Sequence, residues 1–336
     1  NSHPLDEAER DAYVEALLQE MAFYTESPSP LPPVATVFLG GGTPSLLPPQ
    51  DLERLLDRIG RSFDLAADAE ISLEANPATV RKETFQRFRS AGVNRLSIGV
   101  QSFEARELER LDRVHRVEEI HTTVTRAREA GFDNLSLDLM FALPGQTAEA
   151  WRWNLHQALD KDPEHLSTYN LTIEPQTAFH KLQNRGKLAL PPEDVQLEQY
   201  RDALRILTEA GYRHYEISNF CKPGRECRHN LIYWENGDYL GLGAGASSYL
   251  KGVRFKNTDL PARYIREVRN RGHAVESRET LDPRRAMGET VMLGLRLRDG
   301  LRLDRFEKRF HISFEKVYGK KVESLVRRDW ITCDSH

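Results

Sequence analysis

From Val34 to Pro175, short β-branched or apolar runs alternate with longer segments of helical period, and this alternation restricts the chain to a parallel α/β architecture. Val34–Gly40, Glu70–Ala75, Arg95–Val100, Asn134–Phe141 and Leu166–Thr172 read as strands, nearly continuous apolar runs of the kind covered on both faces. Between them, Leu52, Leu55, Leu56 and Ile59 form one helical stripe, and Val80, Phe85 and Phe88 a second. Ile120, Val124 and Ala127 form a third, and Trp151, Leu155 and Leu159 a fourth. Gly60, Gly92 and Gly131 stand where helices should stop with a left-handed residue, and Thr79 and Thr147 where helices should start. Right-handed crossovers then give a barrel or a doubly wound sheet.

An amphipathic helix from Asp6 to Tyr24, with Val14, Leu17, Leu18 and Met21 on one side, precedes the first of these strands, where a βα repeat would place another strand. After a polar stretch from Gln176 to Asp194 comes a helix with Leu197, Tyr200, Leu204 and Leu207, then a strand-like Tyr212–Ile217. The segment 218–257, rich in Gly, Asn, Tyr and Trp, reads as functional loops with short strands. Helical periodicity returns from Asp282, through Met287, Val291 and Leu293, Phe306 and Phe310, and Val317, Val322 and Leu325. Two domains are therefore expected, residues 1–257 and a small, mainly helical C-terminal domain at 280–336.

The chain of 336 residues carries a net charge of −4, so no global basic field points to nucleic acid. Three cysteines, Cys221, Cys227 and Cys333, are too few for a disulfide framework, and a reducing, cytoplasmic location is expected. The spacing of Cys221 and Cys227 fits no common zinc pattern.

Several polar groups interrupt the strand ends. Phe38-Leu39-Gly40-Gly41-Gly42-Thr43-Pro44 closes the first strand, where three glycines let the backbone approach a ligand or simply make a tight turn. It is neither a P-loop nor Gly-x-Gly-x-x-Gly. Glu74, Gln101, Asp138 and Thr172 lie at or near the ends of other strands. An unpartnered buried polar group costs on the order of 1–3 kcal/mol. Four such residues suggest a shared site. Downstream, His229-Asn230-Leu231-Ile232-Tyr233-Trp234 combines an imidazole with aromatic side chains, which on residue type alone suits a packed loop anchor.

Taken in order, Gly-Gly-Gly-Thr-Pro-Ser, Glu-x-Asn-Pro, Ile-Gly-Val-Gln-Ser-Phe, Leu111-Asp112-Arg113-Val114-His115, Asp138-Leu139-Met140 with Leu143-Pro144-Gly145-Gln146-Thr147, and Tyr-x-Leu-x-x-Glu-Pro resemble the core of the HemN/HemW family of radical S-adenosylmethionine (SAM) proteins. The resemblance spans roughly residues 35 to 250. It implies an α/β fold, a partial (βα)6 TIM-like barrel, followed by the helical C-terminal domain. It implies that Gly41, Gly42 and Thr43 bind the methionine amino group of SAM. Glu74, Gln101, Arg113 and Asp138 would contact its polar parts, with Thr172 near the adenine. An Arg among carboxylates and amides at a barrel mouth suits such a zwitterionic, ribose-bearing ligand.

The family also implies a [4Fe–4S] cluster held by a Cys-x-x-x-Cys-x-x-Cys loop, leaving one iron for SAM. Cys221, Cys227 and Cys333 have the wrong spacing for it, and the opening Asn1-Ser2-His3 resembles the stretch that follows such a loop, so the ligands are expected upstream of Asn1. His229, Tyr233 and Trp234, followed by Tyr239-Leu240-Gly241-Leu242-Gly243, resemble the signature of the branch in which the His is implicated in haem binding. Where related sequences often carry a further His, this chain has Ala246-Ser247-Ser248. The expected partners are haem, SAM and a haem-accepting respiratory protein, including those at the membrane. The alternative within the same family is an oxygen-independent coproporphyrinogen III dehydrogenase acting through radical decarboxylation. A cluster-free TIM-like barrel enzyme is the third reading.

Overall fold

The structure is a computed structural model and describes residues 6–26, 31–77 and 79–333. Asn1-Ser2-His3, the expected sequel of a cluster loop, lies outside the described residues. Helix α1 (Glu7–Thr25) opens the fold, with the Asp6 carboxylate accepting the Glu9 N–H at 2.8 Å as its cap. The βα repeat follows as β1 (Val34–Leu39), α2 (Pro49–Ser62), β2 (Leu65–Ala75), α3 (Lys82–Ser90), β3 (Arg95–Gln101), α4 (Ala105–Arg110), α5 (Val117–Glu129), β4 (Leu135–Phe141), α6 (Ala148–Leu159) and β5 (His165–Asn170). Then come α7 (Ala178–Asn184), α8 (Glu193–Glu209), β6 (Arg213–Glu216), β7 (Asn219–Cys221), α9 (Arg228–Trp234), β8 (Ser247–Leu250), β9 (Val253–Asn257), α10 (Pro261–Arg271) and β10 (Val275–Thr280). The C-terminal helices are α11 (Pro283–Gly294), α12 (Leu303–Phe310) and α13 (Phe314–Val326).

The main sheet has the order β1-β2-β3-β4-β5-β7-β6. Strands β1 to β5 pair in parallel, and β7 is antiparallel to both β5 and β6. Two reversals make β6 parallel in direction to β5, so the sixth strand of the expected partial barrel is present with β7 inserted beside it. The result is a curled half-barrel. The predicted helical stripes cover its outside: Leu52, Phe85, Phe88, Ile120, Trp151 and Leu155 are all fully buried. Each buried side chain of this size contributes roughly 1.5–3 kcal/mol through the apolar area it removes from water.

Several local expectations need correction. Gly92 and Gly131 adopt φ of 110° and 87° just after their helices, as a left-handed stop requires, whereas Gly60 lies inside α2, which runs on to Ser62. Thr147 caps α6 through the Ala150 N–H, but Thr79 instead bonds back to the Asn76 carbonyl at 2.7 Å and α3 starts only at Lys82. Leu197 stays exposed on α8, and the polar stretch before that helix contains the short α7. Strand β5 ends at Asn170, which leaves Thr172 in coil.

Beyond the half-barrel, β8, β9 and β10 form an antiparallel three-stranded sheet. Helix α10 packs on α1, and the junction is polar at its centre. The fully buried Glu20 of α1 accepts from the Gly243 N–H at 2.9 Å, Asn257 Nδ2 at 2.7 Å and Tyr264 Oη at 2.7 Å. Burial pushes this carboxyl up from the usual range, and the three donors oppose that. Glu20→Ala strands three buried donors at once, so it should cost about 3 kcal/mol or more in denaturant unfolding. An unchanged midpoint would show that the junction does not depend on Glu20.

Candidate functional site

The inner face of the half-barrel is polar because the strands alternate strictly. Glu70, Ser72 and Glu74 on β2, Arg95 and Ser97 on β3, Ser136 and Asp138 on β4, and His165 and Ser167 on β5 share that face, while Leu73, Leu96, Ile98, Leu137 and Leu166 point to the helices. The expectation of apolar runs covered on both faces is therefore wrong for the inner face. Register places Ser72 beside Arg95, Glu74 beside Ser97, Ser97 beside Ser136, and Asp138 beside Ser167.

Asp138 lies within β4, where it accepts from Ser97 Oγ at 2.8 Å and Ser136 Oγ at 3.2 Å. Burial raises its pKa, and the hydroxyls of Ser167 and Ser97 together with Arg95 oppose the shift. Glu74 is also raised by burial, against a hydrogen bond from the Gly41 N–H at 3.1 Å and with the charge of Asp138 adding to the effect.

The loop after β1 is shaped by two different constraints. A side chain at Gly40 would stand 2.5 Å from the Phe38 ring and 3.1 Å from the Glu74 carboxyl carbon, so close approach requires glycine there. Gly41 and Gly42 have φ of 77° and 63° with open space where a Cβ would be, so backbone conformation requires glycine and leaves a cradle free for a ligand. Thr43 Oγ1 accepts from Asn76 Nδ2 at 3.2 Å. Gln101 ends β3 at φ 66°, a strained value for a residue with a side chain, and that side chain has no hydrogen bond among the described residues. Arg113 is exposed and forms no ion pair among them. The structure thus brings Gly41, Glu74 and Asp138 together and ties Thr43 to the same edge through Asn76. Exposed Thr172 makes no hydrogen bond to them.

His229 belongs to α9, where only loop was expected. The Glu70 carboxylate caps this helix by accepting the N–H groups of Arg228 at 3.0 Å and His229 at 3.1 Å, and it receives the Cys227 thiol at 3.6 Å. The imidazole lies 2.8 Å from Thr36 Oγ1 through Nδ1 and 2.9 Å from Tyr233 Oη through Nε2, and it stacks on Phe38 with ring centres 5.0 Å apart. Burial pushes its pKa down to about 4, with Glu70 opposing and Arg95 reinforcing that shift.

Trp234 does not join this group. It is one residue beyond the i, i+4 partner Tyr233 and turns to the C-terminal helices, under the Arg296 guanidinium at 4.2 Å and beside a cleft of about 390 Å3 lined by Leu297, Leu301 and Phe306. The structure therefore separates Trp234 from His229 and Tyr233.

Sequence reasoning missed the residues that connect the two groups. Ser136 Oγ lies 2.8 Å from His165 Nδ1, His165 Nε2 lies 2.8 Å from Tyr215 Oη, and that hydroxyl accepts the Cys227 N–H at 3.4 Å. Arg95, 2% exposed, has no partner for Nε among the described residues. Burial works against its charge, and Cys227, Glu70, Tyr215 and Asp138 outweigh that penalty. The period-2 alternation of polar residues was the available signal. Cys221 and Cys227 are buried free thiols, pushed up to about 12 and about 11 by burial, and Cys333 is exposed.

A half-barrel of parallel strands with a glycine loop and convergent carboxylates at one edge defines the radical SAM class, and the profile of the Radical SAM superfamily matches residues 11–156. The HemN C-terminal domain profile matches residues 281–336. A protein of Lactococcus lactis named heme chaperone HemW is 38% identical over 95% of this chain and 82% of its own length. One of the same name from Bacillus subtilis is 39% identical over 98% of this chain and 86% of its own. The solved structure of Escherichia coli coproporphyrinogen III oxidase, HemN, described as a radical SAM enzyme, superposes with a TM-score of 0.82 at 25% identity, covering 97% of this chain and 78% of that one. The chain belongs to the HemN/HemW family of radical SAM proteins. Among the described residues no helix is long and apolar enough to cross a membrane.

A depressed imidazole pKa means that the unfolded chain takes up a proton that the native one refuses. The share of stability from His229 is full above about pH 6.5 and falls as pH drops toward 4, at up to about 1.4 kcal/mol per pH unit. Glu74, Asp138 and Glu216, raised by burial, act with the opposite sign. A site-resolved NMR titration separates the two: the His229 ring should stay neutral to below pH 5, and a midpoint near 6.5 would contradict its enclosed setting.

Proposed function

We propose that this chain is a haem-binding chaperone built on a radical SAM scaffold, binding SAM at the barrel mouth and haem through His229, and passing haem to a respiratory acceptor protein. The observation that carries the reading is His229, an imidazole kept neutral on its own short helix, in a chain whose relatives across most of its length are named heme chaperones. A neutral imidazole is the form that ligates iron. Tyr233 stands beside it as the second aromatic contact. Trp234 would reach the same porphyrin only after α9 moves, since it now faces the C-terminal helices.

The mouth fits SAM by the state of its groups. The open Gly41–Gly42 cradle presents backbone to an ammonium and carboxylate, Glu74 and Asp138 supply acceptors for amino and ribose hydroxyl groups, and Gln101 and Arg113 have uncommitted polar ends. Together with a reduced cluster, SAM supplies radical chemistry. The three cysteines of this chain do not fit a [4Fe–4S] cluster, since two are buried with thiols held protonated and the third is exposed at the far end.

Two measurements test the reading. Haem titration followed by absorbance should show His229→Ala binding at least about tenfold more weakly than wild type, as loss of an axial ligand implies. Equal affinity removes the haem assignment, and anaerobic turnover of coproporphyrinogen would replace the chaperone with the dehydrogenase. In calorimetry, Arg113→Ala should weaken SAM binding by about tenfold or more, the effect of one charge-assisted hydrogen bond of about 1.5–3 kcal/mol. Unchanged affinity would exclude Arg113 from the site.

A further inference from the structure

Both ring nitrogens of the proposed haem ligand are already engaged. Thr36 Oγ1 holds Nδ1 and Tyr233 Oη holds Nε2, while the Phe38 ring covers one face at an interplanar angle of 18°. The start of the helix is held as well. Glu70 takes the N–H groups of residues 228 and 229, and the Arg228 guanidinium reaches the Asp68 carbonyl at 2.7 Å. Apart from Tyr233, these contacts come from β1 and β2, strands of the half-barrel itself. Coordination of iron through either nitrogen therefore requires the hydrogen bond at that nitrogen to break.

All seven residues of the helix are half-buried, and none belongs to the buried core. Left-handed residues flank it, Gly224 at φ 76° on one side and Asn236 at φ 53° on the other.

We propose that α9 is a latch whose closed state, fixed by Thr36, Phe38 and Glu70, competes with haem, so that haem is taken by an open state in which the imidazole has left β1. This rests on the reading of His229 as the haem ligand. A ligand that selects a minor state binds with an apparent affinity reduced by the fraction of protein in that state. Weakening the latch must then tighten haem binding. If Thr36 instead orients the imidazole for iron, as outer-sphere partners of metal-bound histidines do, its loss weakens binding. The two roles differ in sign.

The test is haem titration of the full chain as wild type, Thr36→Val, Thr36→Ser and His229→Ala, together with amide hydrogen exchange of residues 228–234 without haem. Removing one hydrogen bond from the closed state should tighten haem binding about fivefold in Thr36→Val and speed α9 exchange by a similar factor, while Thr36→Ser, which keeps the hydroxyl, should match wild type. Should Thr36→Val fail to fold, Phe38→Leu carries the same expectation. Equal or weaker binding in the valine variant, with His229→Ala still impaired, overturns the latch and leaves the ligand assignment standing. Wild-type affinity in His229→Ala overturns both.

Discussion

A sheet curled only part of the way to a barrel must find partners for every polar group on its inner face, and here one carboxylate, Glu70, sits where that demand meets the rest of the molecule. It lies at the middle of β2, 6% exposed, beside the buried Arg95, and uses both oxygens to end-cap α9. The cap brings His229 against β1. Replacing Glu70 by an apolar residue would leave Arg95 without its neighbouring countercharge and the first turn of α9 without acceptors, two unfavourable changes at the same point.

The two candidate sites share a wall. Phe38 stacks on the His229 imidazole and also fills the space that a side chain at Gly40 would need, one residue before the Gly41–Gly42 cradle. A second connection runs from Asp138 through Ser136, His165 and Tyr215 to the backbone at the start of α9. Both connections run from the barrel mouth to the His229 helix, the first through a ring contact and the second through four successive hydrogen bonds.

Much of this was legible in sequence because long periodic segments declare themselves. Four of the five strands were placed to within two residues, whereas β2 begins at Leu65, five residues before the expected Glu70, and the four helical stripes proved to be buried or packed against the core. The glycine loop and the carboxylates stood out as interruptions. What stayed hidden depended on tertiary context. Gly60 looked like a helix stop, yet α2 runs two residues further, to Ser62. Thr79 looked like a cap but bonds to Asn76, and α9 is too short to show a period, with its N-terminus held by Glu70, some 160 residues away in sequence. Trp234 was grouped with His229 by adjacency, and only the helical geometry of α9 shows that it faces elsewhere. The polar alternation of Glu70, Ser72, Arg95, Ser97 and Ser136 was present in sequence and would have revealed a lined interior, had the strands not been taken as apolar throughout.

Whether the edge from Gly41 to Asp138 is a ligand cradle or a well-packed turn is decided by a crystal structure of the protein soaked with SAM. A cradle places the methionine end over Gly41 and Gly42, with the Glu74 carboxylate and the Arg113 guanidinium turned onto the ligand and Asp138 still held by Ser97. Density for the ligand elsewhere, with the Gly41–Glu74 contact unchanged and Arg113 still exposed, would contradict it.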